Sequence, residues 1–198
     1  MSASTAHNAE AEPSLGAEVF PRILYVEDND TSYEVAEGML GDTFNLTRAS
    51  QAEEFVERIT ASKFDLVLMD IELVDSALDG IGLTRLMRGK LESPPSFARE
   101  IESASIPILF ITSHTALYSN ETLRHHGADG VLHKPVNPDE LASYVNSMLS
   151  VHKHATTAAQ ERQAKTETDL RIEMELKVKL FANAAHHLNN PLNHIHGS

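Results

Sequence analysis

The sequence contains no cysteine and no tryptophan among its 198 residues. The absence of cysteine excludes disulfides, thiolate metal sites and cysteine nucleophiles together. Basic residues are also few, since 16 Lys and Arg face 29 Asp and Glu, giving a formal net charge of -13. A protein surface with this charge balance argues against nucleic acid as a partner.

Long apolar runs are also missing. No stretch approaches the roughly 20 apolar residues that a membrane-spanning helix needs, so we expect no membrane segment in this chain. The N-terminus lacks the basic and apolar regions of a secretory signal, because no Lys or Arg precedes Arg22. Residues 1–20 are rich in Ala, Ser and Glu without periodicity, which predicts a disordered tail. These features together predict a soluble, cytoplasmic protein.

Short apolar segments alternate with helical patterns between residues 22 and 151. The predicted strands cover residues 23–26, 44–49, 65–69, 106–111 and 130–133, and the predicted helices lie near 35–40, 52–59, 83–87, 115–126 and 138–148. Ser50 and Glu53 predict a capping box for the second helix, and Asn137 before Pro138 predicts the N-cap of the fifth. Four continuous apolar strands and one alternating edge strand, over residues 44–49, are separated by helices, which indicates an α/β fold with a doubly wound parallel sheet.

The composition changes after the fifth helix. Residues 155–168 are polar and contain no Gly or Pro that would end a helix. Apolar residues then recur at spacings of four and three, as in a coiled-coil seam: Met174, Val178, Phe181, Ala185, Leu188, Leu192 and Ile195. Residues 170–180 also alternate as a strand would, but the Glu and Lys between them favour a helix. We predict a helical coiled-coil linker over residues 152–180 and a homodimer formed through the C-terminal helix.

Chemically functional side chains occur where predicted strands end. Glu27 and Asp28 follow the first strand and Asp70 the third, while Thr112 ends the fourth and Lys134 follows the fifth. The carboxyl ends of parallel strands share one edge of the sheet, which is where such folds bind ligands. Clustered carboxylates repel one another unless a cation joins them, and oxygen-only ligands suit Mg²⁺. The sequence therefore predicts that an aspartate attacks a phosphoryl group whose oxygens are bound by Mg²⁺, a hydroxyl and an ammonium.

These motifs resemble the response-regulator receiver family of two-component signalling. They are VEDN at residues 26–29, LVLMD ending at Asp70, DG at 79–80, IT at 111–112 and GADGVLHKP ending at Pro135. The resemblance implies a receiver domain over residues 21–151, with a flavodoxin-like sheet of strand order 2-1-3-4-5. It also implies that Asp70 receives a phosphoryl group from a phosphohistidine on a cognate histidine kinase or a histidine phosphotransfer protein.

The resemblance also implies a metal site for Mg²⁺ (or Mn²⁺). Asp28 would bind the metal directly together with Asp70, Glu27 would assist, often through water, and the backbone carbonyl of Glu72 would complete the metal site. Three features depart from the family. The loop from Asp70 to Gly80 is lengthened and lacks proline, the connection over residues 89–105 is long, and a valine (Val131) replaces the aromatic residue usual three positions before the lysine.

The end of the chain resembles the H-box of sensor histidine kinases, in which a dimerisation helix carries a phosphoaccepting histidine with a proline five residues later. His186 and Pro191 fit those two positions. Asn190 lies where that family often has the residue that orients water in the phosphatase reaction, whereas His187 replaces the acid that accepts a proton. We predict that residues 181–198 begin an H-box helix.

No ATP-binding domain accompanies the H-box, so we interpret the chain as a fragment of a hybrid-type histidine kinase whose receiver regulates the dimerisation helix. A phosphorylation-controlled dimerisation module with an inactive H-box is the alternative. Haloacid-dehalogenase enzymes also use a strand-end aspartate, but they place a second aspartate where this chain has Glu72. The terminal histidines could instead bind a transition metal or be solvated polar positions: His186, His187, His194 and His196.

Overall fold

A computed structural model describes residues 20–98, 101, 105–113 and 118–189, with the side chains of the last helix described to Ala182. Within these residues five strands alternate with five α-helices. They are β1 Arg22–Val26, α1 Asp30–Leu40, β2 Asn45–Ala49, α2 Ala52–Ala61, β3 Leu66–Met69, α3 Gly80–Met87, β4 Ile108–Thr112, α4 Asn120–His126, β5 Gly130–His133 and α5 Pro138–Asn189. The predicted tail lies outside the described residues except for Phe20.

The sheet has the strand order β2-β1-β3-β4-β5, and every pairing is parallel. This confirms the predicted doubly wound fold. The central strands are buried along almost their whole length because helices cover both faces, whereas β2 is a half-buried edge strand. The register pairs Val26 with Ala49 and with Met69, so the first three strands end at the same level. The loops that follow them therefore lie along one edge of the sheet.

The long connection between α3 and β4 is part of the hydrophobic core. It contains a short 3₁₀ helix over Ser96–Ala98, whose last residue is buried. Leu91, Phe97 and Ile101 are partly buried and pack against the main apolar cluster, which includes Phe55 of α2. The described part of this insertion therefore adds apolar cover over α2.

Side-chain caps locate the helix starts more accurately than the apolar pattern does. The Asn137 side chain accepts a hydrogen bond from the amide of Asp139 at 2.9 Å, which confirms the predicted cap of α5. The predicted capping box of α2 names the wrong acid, because Ser50 pairs with Glu54 through its amide at 2.8 Å and its hydroxyl at 3.1 Å. These hydrogen bonds hold the pKa of Glu54 below its usual range.

The fourth helix is shorter than predicted. It begins at Asn120, because the side chain of Ser119 accepts a hydrogen bond from the amide of Thr122 and caps the first turn. Tyr118 and Ser119 precede the helix, so the predicted start near residue 115 is wrong for the described part of that range. Residues 114–117 lie outside the described residues.

The chain forms two compact units, one ending at Val145 and one beginning at Asn146. Within the described residues, the second unit is the continuation of α5 as a helix to Asn189. The helical interpretation of residues 170–180 is therefore confirmed, and the alternative strand is wrong. None of the helices in the described parts of the chain is both long and apolar enough to cross a membrane.

Candidate functional site

A lysine joins two buried acids at the carboxyl edge of the sheet. The ammonium of Lys134 lies 2.7 Å from a carboxylate oxygen of Asp70 and 2.7 Å from one of Glu27. The acids follow β3 and β1, and the lysine follows β5, so three separate strands build the cluster. Glu27 is 1% exposed and Asp70 is 8% exposed. The structure thus brings together three residues that the sequence predicted at strand ends.

Thr112 is the fourth predicted residue at this edge. It ends β4, is fully buried, and accepts a backbone hydrogen bond from the amide of Lys134 at 2.9 Å. This hydrogen bond continues the pairing of β4 with β5, in which Thr112 lies opposite His133. The threonine and the lysine are therefore held together by the backbone of the two strands.

The charge state of the cluster follows from its contacts. Burial by itself lowers the pKa of Lys134, but hydrogen bonds and charges from Asp70 and Glu27 outweigh burial and hold that pKa above its usual range. The hydroxyl of Tyr25 donates to Glu27 at 2.7 Å. Burial, and then the neighbouring charge of Glu27, raises the pKa of Tyr25, so its phenol remains a neutral donor. One ammonium and one phenol thus stabilise the buried carboxylates.

The turn after β1 is held on both sides. A carboxylate oxygen of Asp28 accepts a hydrogen bond from the amide of Val74 at 3.0 Å. Arg48 donates to the backbone carbonyl of Asp28 at 2.7 Å and to that of Glu27 at 2.9 Å. Glu72, in the loop after β3, has an exposed side chain. The acidic pair is therefore positioned by the loop after β3 and by the edge strand β2.

The lengthened loop between β3 and α3 is fixed by hydrogen bonds of its own. The amide of Gly80 donates to the carbonyl of Ile71 at 3.0 Å, which closes the loop. The hydroxyl of Ser76 accepts from the amide of Ala52 at 2.9 Å and donates to the carbonyl of Leu78 at 2.8 Å. Ser76 thus ties the loop to α2, and the hydrogen bond from the amide of Val74 to Asp28 ties it to the acidic turn. These two contacts give the loop a defined path.

The donor set fits the proposed magnesium site. Among the described residues, no group of three His, Cys, Asp or Glu side chains could hold a metal ion as it stands. Mg²⁺ needs fewer, because it is usually bound by one or two carboxylates together with water and phosphate oxygens. The predicted ligands Asp28 and Asp70, with the carbonyl of Glu72, would supply that number. Glu27 is already engaged by Lys134 and Tyr25, which suits an indirect role.

Two residues of the site were not found from the sequence. Tyr25 lies in a buried apolar strand, and its only signal is a phenol two positions before an acid. Arg48 lies in the alternating edge strand, where a charged residue is ordinary, and its role depends on the register that pairs it with Tyr25.

His186 lies in α5, but its side chain is outside the described part, and Asn190 is outside it entirely. Their predicted roles stay predictions.

The fold and this edge define a doubly wound α/β domain with an aspartate, an acidic pair, a hydroxyl and a lysine at its ligand-binding edge. The family model described as the response regulator receiver domain matches residues 23–146, more than half of the chain. This chain therefore belongs to the response-regulator receiver family. It carries a receiver domain of two-component signalling, which implies a histidine kinase or a phosphotransfer protein as its partner.

Similar proteins include both kinases and regulators. Histidine kinase 5 of Arabidopsis thaliana is 30% identical over 160 residues, covering 71% of this chain and 17% of that protein. The sensor protein GacS of Pseudomonas syringae pv. syringae is 28% identical over 144 residues, covering 72% of this chain and 15% of that protein. This chain therefore corresponds to less than a fifth of the length of either relative.

Solved structures show the same fold. A CheY-like receiver domain protein of Methanospirillum hungatei has a TM-score of 0.56 at 23% identity, covering 69% of this chain and 99% of that chain. NtrX of Brucella abortus has a TM-score of 0.61 at 22% identity, covering 72% of this chain and 29% of that chain. These likenesses bear on the fold alone.

Proposed function

We propose that Asp70 is the phosphoacceptor of a two-component phosphorelay and that its phosphorylation regulates the C-terminal helix. The observation that carries this proposal is the 2.7 Å contact between the Lys134 ammonium and the carboxylate of Asp70 at the ligand-binding edge. An ammonium at that distance neutralises the ionised aspartate and lies within reach of an anionic group attached to it.

The proposed chemistry is an in-line phosphoryl transfer. An oxygen of Asp70 forms a bond to phosphorus as the bond between phosphorus and the imidazole nitrogen of the donor histidine breaks. The product is an acyl phosphate on Asp70 and a free histidine on the partner. Lys134 and the hydroxyl of Thr112 would then bind oxygens of the transferred group.

Asp28, Asp70 and the carbonyl of Glu72 would hold Mg²⁺, which when bound supplies positive charge for the phosphoryl oxygens. Within the protein, Glu27 has a separate role. Because it is buried and shares the ammonium with Asp70, it keeps Lys134 at the edge of the sheet before the phosphoryl group arrives. The lysine can then exchange an acid partner for a phosphoryl oxygen with little movement.

Phosphorylation by a small donor tests this proposal directly. We expect acetyl phosphate with Mg²⁺ to add one phosphoryl group to the chain, detected by intact mass, and Asp70→Asn to abolish the adduct because the amide cannot attack phosphorus. Asp42→Asn, at an exposed turn, removes the same charge and should leave the adduct unchanged. An adduct that persists in Asp70→Asn, or its absence with every small donor and partner kinase, would contradict the proposal.

The exposed apolar surface of α5 supports the proposed homodimer. Met174, Val178 and Phe181 lie on the predicted seam, and each is more than 65% exposed. Residues 165–180 carry four basic and four acidic side chains, although the whole chain has a net charge of -13. Two copies can therefore approach along this segment without the repulsion expected elsewhere. Phosphorylation would act by changing how the receiver constrains this helix.

A second apolar stripe lies on the opposite side of the same helix. With 3.6 residues per turn, Ile172, Leu176 and Leu180 form a row roughly opposite the seam. In the heptad register of the seam these residues occupy outer positions. A two-stranded coiled coil would therefore bury the seam and leave this second row exposed.

The two rows provide a matched test of the dimer. We expect the double variant Met174→Glu, Val178→Glu to be monomeric in analytical ultracentrifugation, because paired seam positions would bring buried carboxylates together. The double variant Ile172→Glu, Leu176→Glu introduces the same charges on the second row and should still dimerise. The seam is assigned incorrectly if the seam variant still forms dimers, or if the second-row variant alone becomes monomeric.

The same exposed seam favours a second candidate function, in which the H-box segment dimerises without accepting phosphate. Phosphotransfer separates the two functions. If the segment is active, a phosphorylated receiver should label His186, and His186→Gln should remove the alkali-stable label without affecting dimerisation. If only Asp70 is labelled, the chain acts as a phosphorylation-controlled dimerisation module.

A further inference from the structure

One guanidinium holds the turn that carries the acidic pair. Arg48 donates through Nε to the carbonyl of Glu27 at 2.9 Å and through Nη2 to the carbonyl of Asp28 at 2.7 Å. Nη1 donates to the carboxylate of Asp30 at 2.6 Å. The guanidinium carbon also lies 5.3 Å from the centre of the Tyr33 ring, in α1. Arg48 thus connects β2 to both the turn and the first helix.

These contacts restrict the backbone of the two acids. The amide of Glu27 donates to the carbonyl of Ala49 at 3.0 Å, so the peptide groups on either side of Glu27 are both held from β2. The carboxylate of Asp28 is then oriented from the opposite side by the amide of Val74. With its carbonyl and its carboxylate both bound, Asp28 has little freedom to move away from the edge of the sheet.

We propose that Arg48 is a positioning residue for Mg²⁺ binding, which it favours by holding the acidic turn in place. This inference rests on the proposed function. The contact with Asp30 contributes little to it, because that carboxylate is 85% exposed and solvent-exposed ion pairs are weak. The hydrogen bonds from Arg48 to the carbonyls of Glu27 and Asp28 are what position the metal site, because these two residues form part of it.

A lysine cannot replace this arginine. The guanidinium directs separate N–H groups at three oxygens in one plane, whereas an ammonium is a point charge on a flexible stem. Arg48→Lys therefore keeps the charge and loses the fixed set of hydrogen bonds. Arg48→Met loses both, so the two variants separate position from charge.

Position and charge predict opposite changes in Mg²⁺ affinity. A cation close to the site repels Mg²⁺, so if Arg48 acted only through its charge, Arg48→Met would bind Mg²⁺ more tightly. If Arg48 acts by position, loss of its hydrogen bonds weakens binding. Substitution of residues that orient metal ligands typically weakens affinity about 10- to 100-fold.

The inference is tested by measuring the Mg²⁺ affinity of the full chain with isothermal titration calorimetry. Circular dichroism checks that each variant is folded. We expect Arg48→Met and Arg48→Lys each to weaken Mg²⁺ binding by about tenfold or more. Arg58→Met, at an exposed position of α2, removes the same charge and should bind Mg²⁺ as the wild type does. Asp30→Asn should also leave the affinity nearly unchanged, since its ion pair is exposed.

The outcomes are distinct. Unchanged or tighter binding in Arg48→Met, or wild-type affinity in Arg48→Lys, would overturn the positioning role while leaving Asp70 phosphorylation intact. If Arg48→Met does not fold, Arg48→Lys decides the question alone. If the wild type itself neither binds Mg²⁺ nor takes a phosphoryl group, the proposed function fails and this inference fails with it.

Discussion

Gly80→Ala is expected to lower the free energy of unfolding by about 3 kcal/mol or more, the upper end of the range for overpacking a core. A Cβ at this position would lie 1.9 Å from the backbone oxygen of Asp70 and 2.9 Å from its carbonyl carbon. These are main-chain atoms of a buried strand end, so they cannot move aside as a flexible side chain can. The variant should also phosphorylate poorly, because relief of the clash displaces the phosphoacceptor.

Urea unfolding measures this effect through the transition midpoint, provided that the slope with denaturant is unchanged. Gly38→Ala is the matched control. Apart from its chain neighbours and the nearby backbone of its own helix, no described atom lies within 4 Å of a Cβ at Gly38, which is exposed in the last turn of α1. Alanine there should stabilise the protein by about 0.5–1 kcal/mol through its higher helix propensity. Equal stability of the two variants would show that the loop after β3 does not require the close approach at Gly80.

Lys134→Met is expected to destabilise the protein by about 3 kcal/mol, because it leaves two buried carboxylates without their cation. The estimate is at the lower end of the range for buried pairs, since the lysine side chain is 22% exposed. Added Mg²⁺ should restore part of the loss, because a metal at this edge replaces the missing positive charge. The stabilisation by Mg²⁺ should therefore be larger in the variant than in the wild type.

The pH dependence of unfolding distinguishes this cluster from general charge effects. In the wild type Lys134 has a raised pKa, so its stabilisation is complete below the unfolded value of 10.5 and is lost as the pH rises through the folded value. The variant has no ammonium that could lose its proton at this site, so it should lack this alkaline loss of stability. Lys63→Met, at an exposed position, should follow the wild-type profile. A Lys134→Met profile that also matched the wild type would contradict the proposed ion pairs.

Much of the receiver could be predicted from the sequence because strand ends are local features. An apolar run ends at the same residue whatever the tertiary structure, and parallel pairing then places the following residues at one edge. Asp70 and Lys134 were found in this way and are in contact. The start of α4 and the partner of Ser50 were predicted incorrectly, because apolar spacing does not distinguish adjacent turns of a helix. Capping contacts decide those boundaries.

The sequence by itself determined the alternation of strands and helices, the family, and the residues at the carboxyl edge. Each of these depends on side-chain type and spacing along the chain. Only the tertiary structure decided that Tyr25 and Lys134 share Glu27, that Arg48 holds the acidic turn, and that Gly80 must lack a Cβ. Those contacts join residues far apart in sequence or depend on strand register. They arise from distances of a few ångströms between elements, which no local pattern encodes.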